Sequence, residues 1–287
     1  MKKLRVVTVI GHGVNLLPHF LKHYNFADEI CVVIYVSDSS PNIEEEIRDQ
    51  LIHVWNAKIV KVYKGKSFDW NKVTELYNEV KSVHPNDWWI VADIDEFHVY
   101  PYGDPREVIK DCEKNGWELV RGGFIDRLGM DGAFPTLSPD ESIFGQFPMM
   151  GFFRYPMSDA CPNKVCMMKG HIEITPGQHY AKIGGQTTWR WQGWNHPLIA
   201  PFDEYSVQVH HFKWDSTCLE RMMEVIETNE EYSFSMEYLI MYNALKQNDF
   251  KVNVNDGNFM FEQSPVTDCS YGTYTQWNKL IKKIVSI

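Results

Sequence analysis

Cations are scarce in this 287-residue chain: Lys and Arg total 28 against 38 Asp and Glu, a formal net charge of −10. Nucleic-acid binders draw most of their affinity from Lys and Arg on phosphates, so the balance argues against that class, although a local basic groove remains compatible with it. No run of about 18 apolar residues occurs, so no spanning helix is expected. The opening MKKLRVVTVIGHG has two lysines but only about six consecutive apolar residues and no small-residue cleavage site, so it reads as a first strand and not as a signal peptide. These absences predict a cytoplasmic chain. The six cysteines, at 31, 112, 161, 166, 218 and 269, include no CxxC pair, which excludes a zinc knuckle. Most lie in apolar contexts such as Ile30-Cys31-Val32 and are expected as reduced core thiols. Internal repeats and low-complexity linkers are also missing, so residues 1–287 are expected to form one domain with two unequal halves, 1–100 and 101–287.

What is present is a globular composition. Apolar residues make up 44% and charged residues 23%, too apolar for disorder and enough for a sizeable core. Aromatics reach 14%, with ten tryptophans among them. Indole faces suit the apolar side of a pyranose ring, although most such residues are expected in the core.

The first hundred residues alternate strand and helix. Residues 4–10 (LRVVTVI), 30–36 (ICVVIYV), 57–63 and 88–92 (WWIVA) are continuous β-branched or apolar runs, as buried parallel strands require. Between them, helices are predicted over 15–24 with Asn15 as cap, from Ser40-Pro41 to about 54 by its capping pattern, and from Asp69 or Asn71 to 83. This is the doubly wound α/β pattern, with a mainly parallel sheet. Ligands in such sheets sit outside the carboxyl ends of the strands. The polar clusters lie at those ends: Gly11-His12-Gly13, 37–40, 67–71 and 93–96. Beyond 100 the pattern loosens into a mixed α+β half, with helices over 105–115, 219–228 and 236–246 and strands over 117–124 and 207–212.

The sharpest chemical signal is Asp93-Ile94-Asp95 directly after WWIVA. On extended chain, positions i and i+2 point the same way, which would put two carboxylates together at the ligand edge. Such a pair needs a cation or donors, and dense oxygen ligands suit Mg²⁺ or Mn²⁺. In VQVHHFKW (207–214), alternation sends His210 and His211 to opposite faces, so one of them can join the metal. Lys164 or Lys169 can neutralise a diphosphate, and His179 follows a Pro-Gly turn. The cluster 189–194 (WRWQGW) offers either acceptor platforms or core packing.

These segments together resemble the family-2-like glycosyltransferases of the GT-A nucleotide-sugar fold. The likeness rests on VVTVIGHGVNLLPHFLKHY, Val36-Ser37-Asp38-Ser39-Ser40, WWIVADIDEF, the 120–127 stretch with Asp131-Gly132, Lys164, Gly177-x-His179, and His211-Phe212-Lys213-Trp214, in order over roughly residues 4–220. The resemblance implies inverting transfer of a sugar from a nucleoside diphosphate sugar, uridine or guanosine, to a glycan or other hydroxyl acceptor, with Mn²⁺ or Mg²⁺. It implies metal ligation by Asp93, Asp95 and a late histidine, carried to His211 with His210 as the alternative. Ile10, Gly11, His12, Asp38, Asp93, Lys164 and His179 are the expected nucleotide-binding positions. Two departures stand out: Asn15-Leu16 replaces the usual Asn-Glu, and the expected Glu-Asp base has no clean counterpart, leaving Asp203, Glu173 and Asp131 as rivals.

Other classes fit less well. A nucleotidyltransferase usually carries cations in a Gly-rich loop after its first strand, and GHGVNLLPH has none. A carbohydrate-binding module is usually all-β. A metal-dependent hydrolase built from Asp93, Asp95, His179 and His211 would share the metal but not need the acceptor.

Overall fold

The computed structural model describes residues 2–153, 163–188, 196–228, 233–252 and 261–263. The segment 189–194 and Cys161 and Cys269 lie outside the described residues. The chain runs β1 (Leu4–Ile10), α1 (Leu17–His23), β2 (Glu29–Val36), α2 (Ile43–Leu51), β3 (Ala57–Lys64), α3 (Trp70–Ser82) and β4 (Trp88–Val91). It continues with β5 (Glu96–Val99), α4 (Pro105–Asn115), β6 (Leu119–Leu128), α5 (Ile143–Gln146), β7 (Met149–Phe153) and β8 (Asn163–Lys169). A small sheet of β9 (Glu173–Ile174), β10 (Ala181–Ile183) and β11 (Gln186–Thr187) follows. The last elements are α6 (Phe202–Tyr205), β12 (Val207–His211), α7 (Cys218–Thr228), α8 (Ser233–Gln247) and β13 (Phe261–Gln263).

β3, β2, β1 and β4 lie side by side and parallel, as their continuous apolar sequences require. Alternate residues of β1 serve two cores. Leu4, Val6 and Ile10 pack with Leu17, Phe20 and Ile47 from α1 and α2, whereas Val7 and Val9 pack with Val73, Leu76 and Tyr77 from α3. Helices therefore cover both faces, and the sheet is doubly wound. The connection reverses direction between β1 and β4, so a crevice opens where their carboxyl ends part. Gly11-His12 and Asp93 to Asp95 stand at its mouth.

The other half joins the same sheet by antiparallel pairing, in the order β4-β8-β6-β7-β13. β12 lies between β5 and β6, antiparallel to one and parallel to the other. The close approach of β6 and β12 needs Gly122, where an added Cβ would stand 2.0 Å from the Val207 carbonyl oxygen. α7 and α8 form a third core with Leu128, Phe153 and Trp214, over one flank of the crevice. No helix of the described residues is long and apolar enough to cross a membrane. The described cysteines, at 31, 112, 166 and 218, are free and buried.

Some local expectations differ. α2 begins at Ile43 rather than at Pro41, because the Ser40 hydroxyl donates to the Gly11 carbonyl at 3.0 Å and does not cap. Asn15 does not cap α1 either; its amide donates to Asp215 at 2.9 Å, and a 3₁₀ turn precedes the helix. Asp69 does cap α3, accepting from the Asn71 and Lys72 amides. β6 extends to Leu128, four residues beyond the expected end at 124, because β7 and β12 pair with its second half.

Candidate active site

Asp93-Ile94-Asp95 does not continue β4. The Glu96 amide donates to the Asp93 carbonyl at 3.0 Å and closes a turn, so the same-face rule for extended chain does not apply. The two carboxylates enter different surroundings. Asp93 Oδ1 accepts from the Tyr77 hydroxyl at 2.7 Å and from Gln178 Nε2 at 3.1 Å. Asp95 faces His211, whose Nε2 stands 3.5 Å from Asp95 Oδ2.

Strand register explains that meeting. His211 of β12 pairs with Glu96 of β5 on one side and with Asp126 of β6 on the other. The ladder continues with the Phe212 amide donating to the Asp95 carbonyl at 2.8 Å. His211 Nδ1 lies 3.1 Å from Asp126 Oδ1, which also accepts from Trp214 Nε1 at 3.1 Å. The ring stacks on Phe124 at 4.9 Å. His211 is thus fixed in plane and direction, with Nε2 toward Asp95. Burial would lower its pKa, but Asp95 and Asp126 outweigh that and push it up to about 10. The same contact holds Asp95 far below the usual carboxylate range in spite of its burial. A proton on His211 is the positive charge between two carboxylates, and a metal at Nε2 would have to replace it.

His210 points the other way, as alternation requires. It is fully buried, its Nδ1 accepts from Arg127 Nε at 3.0 Å, and its Nε2 meets Gln208 Oε1 at 3.1 Å. Both ring nitrogens are used in the core, whereas His211 is at the crevice.

Lys164 is 1% exposed and its three N–H groups are spent. They reach Glu96 Oε1 at 2.7 Å, the Gly177 carbonyl at 2.8 Å, and Gln178 Oε1. Glu96 and Asp93 keep the buried ammonium charged. Lys164 therefore anchors the frame around Asp93, with Asp93 Oδ2 at 4.0 Å. His179 is pinned by the Asn163 carbonyl at 2.9 Å, and burial lowers its pKa to about 4.

Three connected hollows meet here. A small one of about 70 Å³ touches Gly11, His12, Phe68, Asp95 and Arg221. A second of about 140 Å³ adds Asp93, Gln178 and His211. The largest, about 330 Å³, is walled by Phe124, Asp126, His179, Trp214, Glu237 and Met241 among others. Gly11 has no room for a side chain, since a Cβ would lie 2.5 Å from the Phe68 ring. That leaves bare backbone at the crevice, beside His12, whose ring meets Phe68 edge-on at 5.0 Å.

Of the residues singled out in the sequence, the crevice gathers Gly11, His12, Asp93, Asp95, Lys164, His179 and His211. Ile10 lies beneath it in the core. Asp38 is exposed at the end of β2, where its amide bonds the Lys66 carbonyl at 3.1 Å. The three base candidates are not brought to the hollows. Glu173 pairs with Lys182 at 3.3 Å on the small sheet. Asp203 lies in α6, where its charge acts on Arg121. Asp131 occupies a left-handed turn position, φ 56°, after β6. Sequence reasoning missed Asp126, Gln178, Lys213, Arg221 and Glu237. Asp126 and Lys213 belong to quoted segments but had no spacing signal of their own.

A divalent ion fits this donor set in one way. Among the described residues, no group of three or more His, Cys, Asp and Glu side chains could hold a metal. Mg²⁺ and Mn²⁺ sites built on one or two protein ligands, with waters and substrate phosphates completing the shell, need no such cage. Cis ligands of an octahedral ion at about 2.1 Å lie about 3.0 Å apart, close to the 3.5 Å between Asp95 and His211. Asp93, held by Tyr77 and Gln178, is the less available carboxylate.

No protein-family model and no curated protein matches the chain. Among solved structures, a 4-diphosphocytidyl-2C-methyl-D-erythritol synthase is 13% identical with a TM-score of 0.33, the match spanning 60% of this chain and 77% of that one. A protein described as a glucose-1-phosphate thymidylyltransferase, from Bacillus anthracis and in complex with sucrose, is 8% identical with a TM-score of 0.30, over 58% and 72% of the two chains.

Proposed function

We propose that the chain is a metal-dependent glycosyltransferase, moving a sugar from a nucleoside diphosphate sugar to a hydroxyl acceptor with inversion. One observation carries this reading: Asp95 and His211 face each other across 3.5 Å where the hollows meet at the β1–β4 crevice. The smaller hollows by Gly11 and His12 receive the nucleoside, and the 330 Å³ hollow receives the transferred sugar and the acceptor.

In the reaction, the acceptor oxygen forms a bond to the anomeric carbon while the bond from that carbon to the diphosphate oxygen breaks. The electron pair leaves with the diphosphate, and the acceptor proton passes to a carboxylate. Asp95 and His211 would hold a Mn²⁺ or Mg²⁺ ion, which would supply Lewis-acid stabilisation of the leaving diphosphate. Asp126 holds the His211 ring, and Tyr77 with Gln178 holds Asp93 toward the donor's ribose. The base comes from the carboxylates of the large hollow. Glu237 is half-buried there, whereas Asp93 is turned to the ribose and Glu96 is 2% exposed with Oε1 held by Lys164.

The test is a panel of sugar nucleotides and glycan acceptors with Mn²⁺, followed by mass spectrometry. The reading expects nucleoside diphosphate and an extended acceptor, both lost in Asp95→Asn. Pyrophosphate released from a nucleoside triphosphate and a sugar phosphate would make the chain a nucleotidyltransferase instead.

A further inference from the structure

Of all the residues around the crevice, three line all three hollows: Trp70, Lys213 and Tyr238. Lys213 is the charged one. Its neighbours Phe212 and Trp214 are 0% and 2% exposed, so the backbone at Lys213 is anchored on both sides. Nζ donates to the Tyr238 hydroxyl at 3.0 Å and lies 4.2 Å from the Tyr238 ring and 5.1 Å from the Trp214 ring.

The other cations nearby are committed. Lys164 is ion-paired with Glu96, and Arg221 Nη1 with Asp215 at 3.0 Å. Among the described residues, no carboxylate lies within ion-pair distance of Lys213; its direct contacts are a hydroxyl and two aromatic faces, while the charges of Glu237 and Asp126 act on it from farther off. Lys213 is half-buried, and ring faces stabilise an ammonium only modestly compared with an anion.

We infer that Lys213, held in place by the Tyr238 hydroxyl that accepts from it, is the protein's own diphosphate-binding cation. This rests on the donor assignment proposed above. In a sugar nucleotide the diphosphate links nucleoside to sugar, so it must lie where the nucleoside hollows meet the sugar hollow, which is where Lys213 stands. As the anomeric bond breaks, charge grows on the diphosphate oxygen, and a fixed ammonium there acts on the transition state more than on the bound donor. Lys213 takes the role that the sequence suggested for Lys164, whose protons are already used.

Calorimetry of the full chain with inorganic pyrophosphate in the presence of Mn²⁺ tests this directly. Lys213→Met, which keeps the stem, should weaken pyrophosphate about ten- to hundredfold, Lys213→Arg should stay near wild type, and Tyr238→Phe should lose about threefold. Affinity for Mn²⁺ alone should not change in Lys213→Met, and melting curves should show each variant folded. Equal pyrophosphate binding by wild type and Lys213→Met overturns the assignment. So does an absence of pyrophosphate binding by wild type with Mn²⁺. A wrong glycosyltransferase reading would show differently, as sugar nucleotides left intact with every acceptor while the pyrophosphate result stands.

Discussion

His211 and Asp126 are 85 residues apart in sequence, yet Nδ1 of one lies 3.1 Å from Oδ1 of the other. The bond fixes the ring so that Nε2 faces Asp95. Outer carboxylates of this kind tune metal affinity through the histidine they orient. Asp126→Asn should therefore weaken Mn²⁺ binding about ten- to hundredfold, with modest loss of stability because the remaining amide oxygen still accepts from Trp214 Nε1. Calorimetric titration with Mn²⁺ alone reads the effect. Unchanged affinity would leave His211 without a metal role.

The two carboxylates of the Asp-Ile-Asp turn should separate in function. Asp95→Asn should lower metal-dependent turnover by a factor on the order of 100 or more. Asp93→Asn should retain Mn²⁺ binding and weaken the donor, since Asp93 is bonded to Tyr77 and Gln178. The pair of titrations, one with Mn²⁺ and one with a nucleoside diphosphate, checks this. Equal loss of Mn²⁺ in both variants would restore a shared ligand role.

The alternation of the first hundred residues made the doubly wound half readable, because each buried strand is a continuous apolar run. The crevice followed from the strand ends. The turn at Asp93 was not readable, since a run such as WWIVADIDEF does not mark where extension stops. Nor were Asp126, Gln178 and Lys213, which reach the site through the register of β5, β12 and β6 and through the turn at 176–178. Such pairings join residues far apart in sequence, and local periodicity carries no information about them. The alternation of His210 and His211 was readable because it is a property of one strand.

Gln178 is 2% exposed with φ 51°, an uncommon backbone state for a residue with a side chain, and its amide bridges Asp93 and Lys164. Gln178→Ala and Gln178→Gly both remove the bridge and should each cost about 1–3 kcal/mol. Glycine relieves the left-handed strain, so the Ala variant should be less stable than the Gly variant by about 1 kcal/mol. Urea midpoints decide it. An Ala variant as stable as the Gly variant would show that the turn stores no strain.

Acid should destabilise the fold through buried neutral histidines. Burial lowers His23 to about 4 and, with the Lys164 charge, His98 to about 3. The unfolded chain binds these protons near pH 6.5, so it gains protons first. Their contribution is intact above pH 6.5 and falls away as pH drops toward 4, by about 3 kcal/mol for His23. His23→Gln keeps a donor for the His98 carbonyl and should flatten the slope. Denaturant unfolding at intervals from pH 7.5 to 4.5 measures it; a slope unaltered by His23→Gln would remove this histidine from the cause.

The metal position is decided most directly by an anomalous difference map from crystals grown with Mn²⁺ and uridine diphosphate. The expected peak lies between Asp95 and His211, with both side chains at about 2.1–2.3 Å from the ion, diphosphate oxygens completing the shell, and His210 still bonded to Arg127. A peak bound by His210, or one that touches neither Asp95 nor His211, would contradict it.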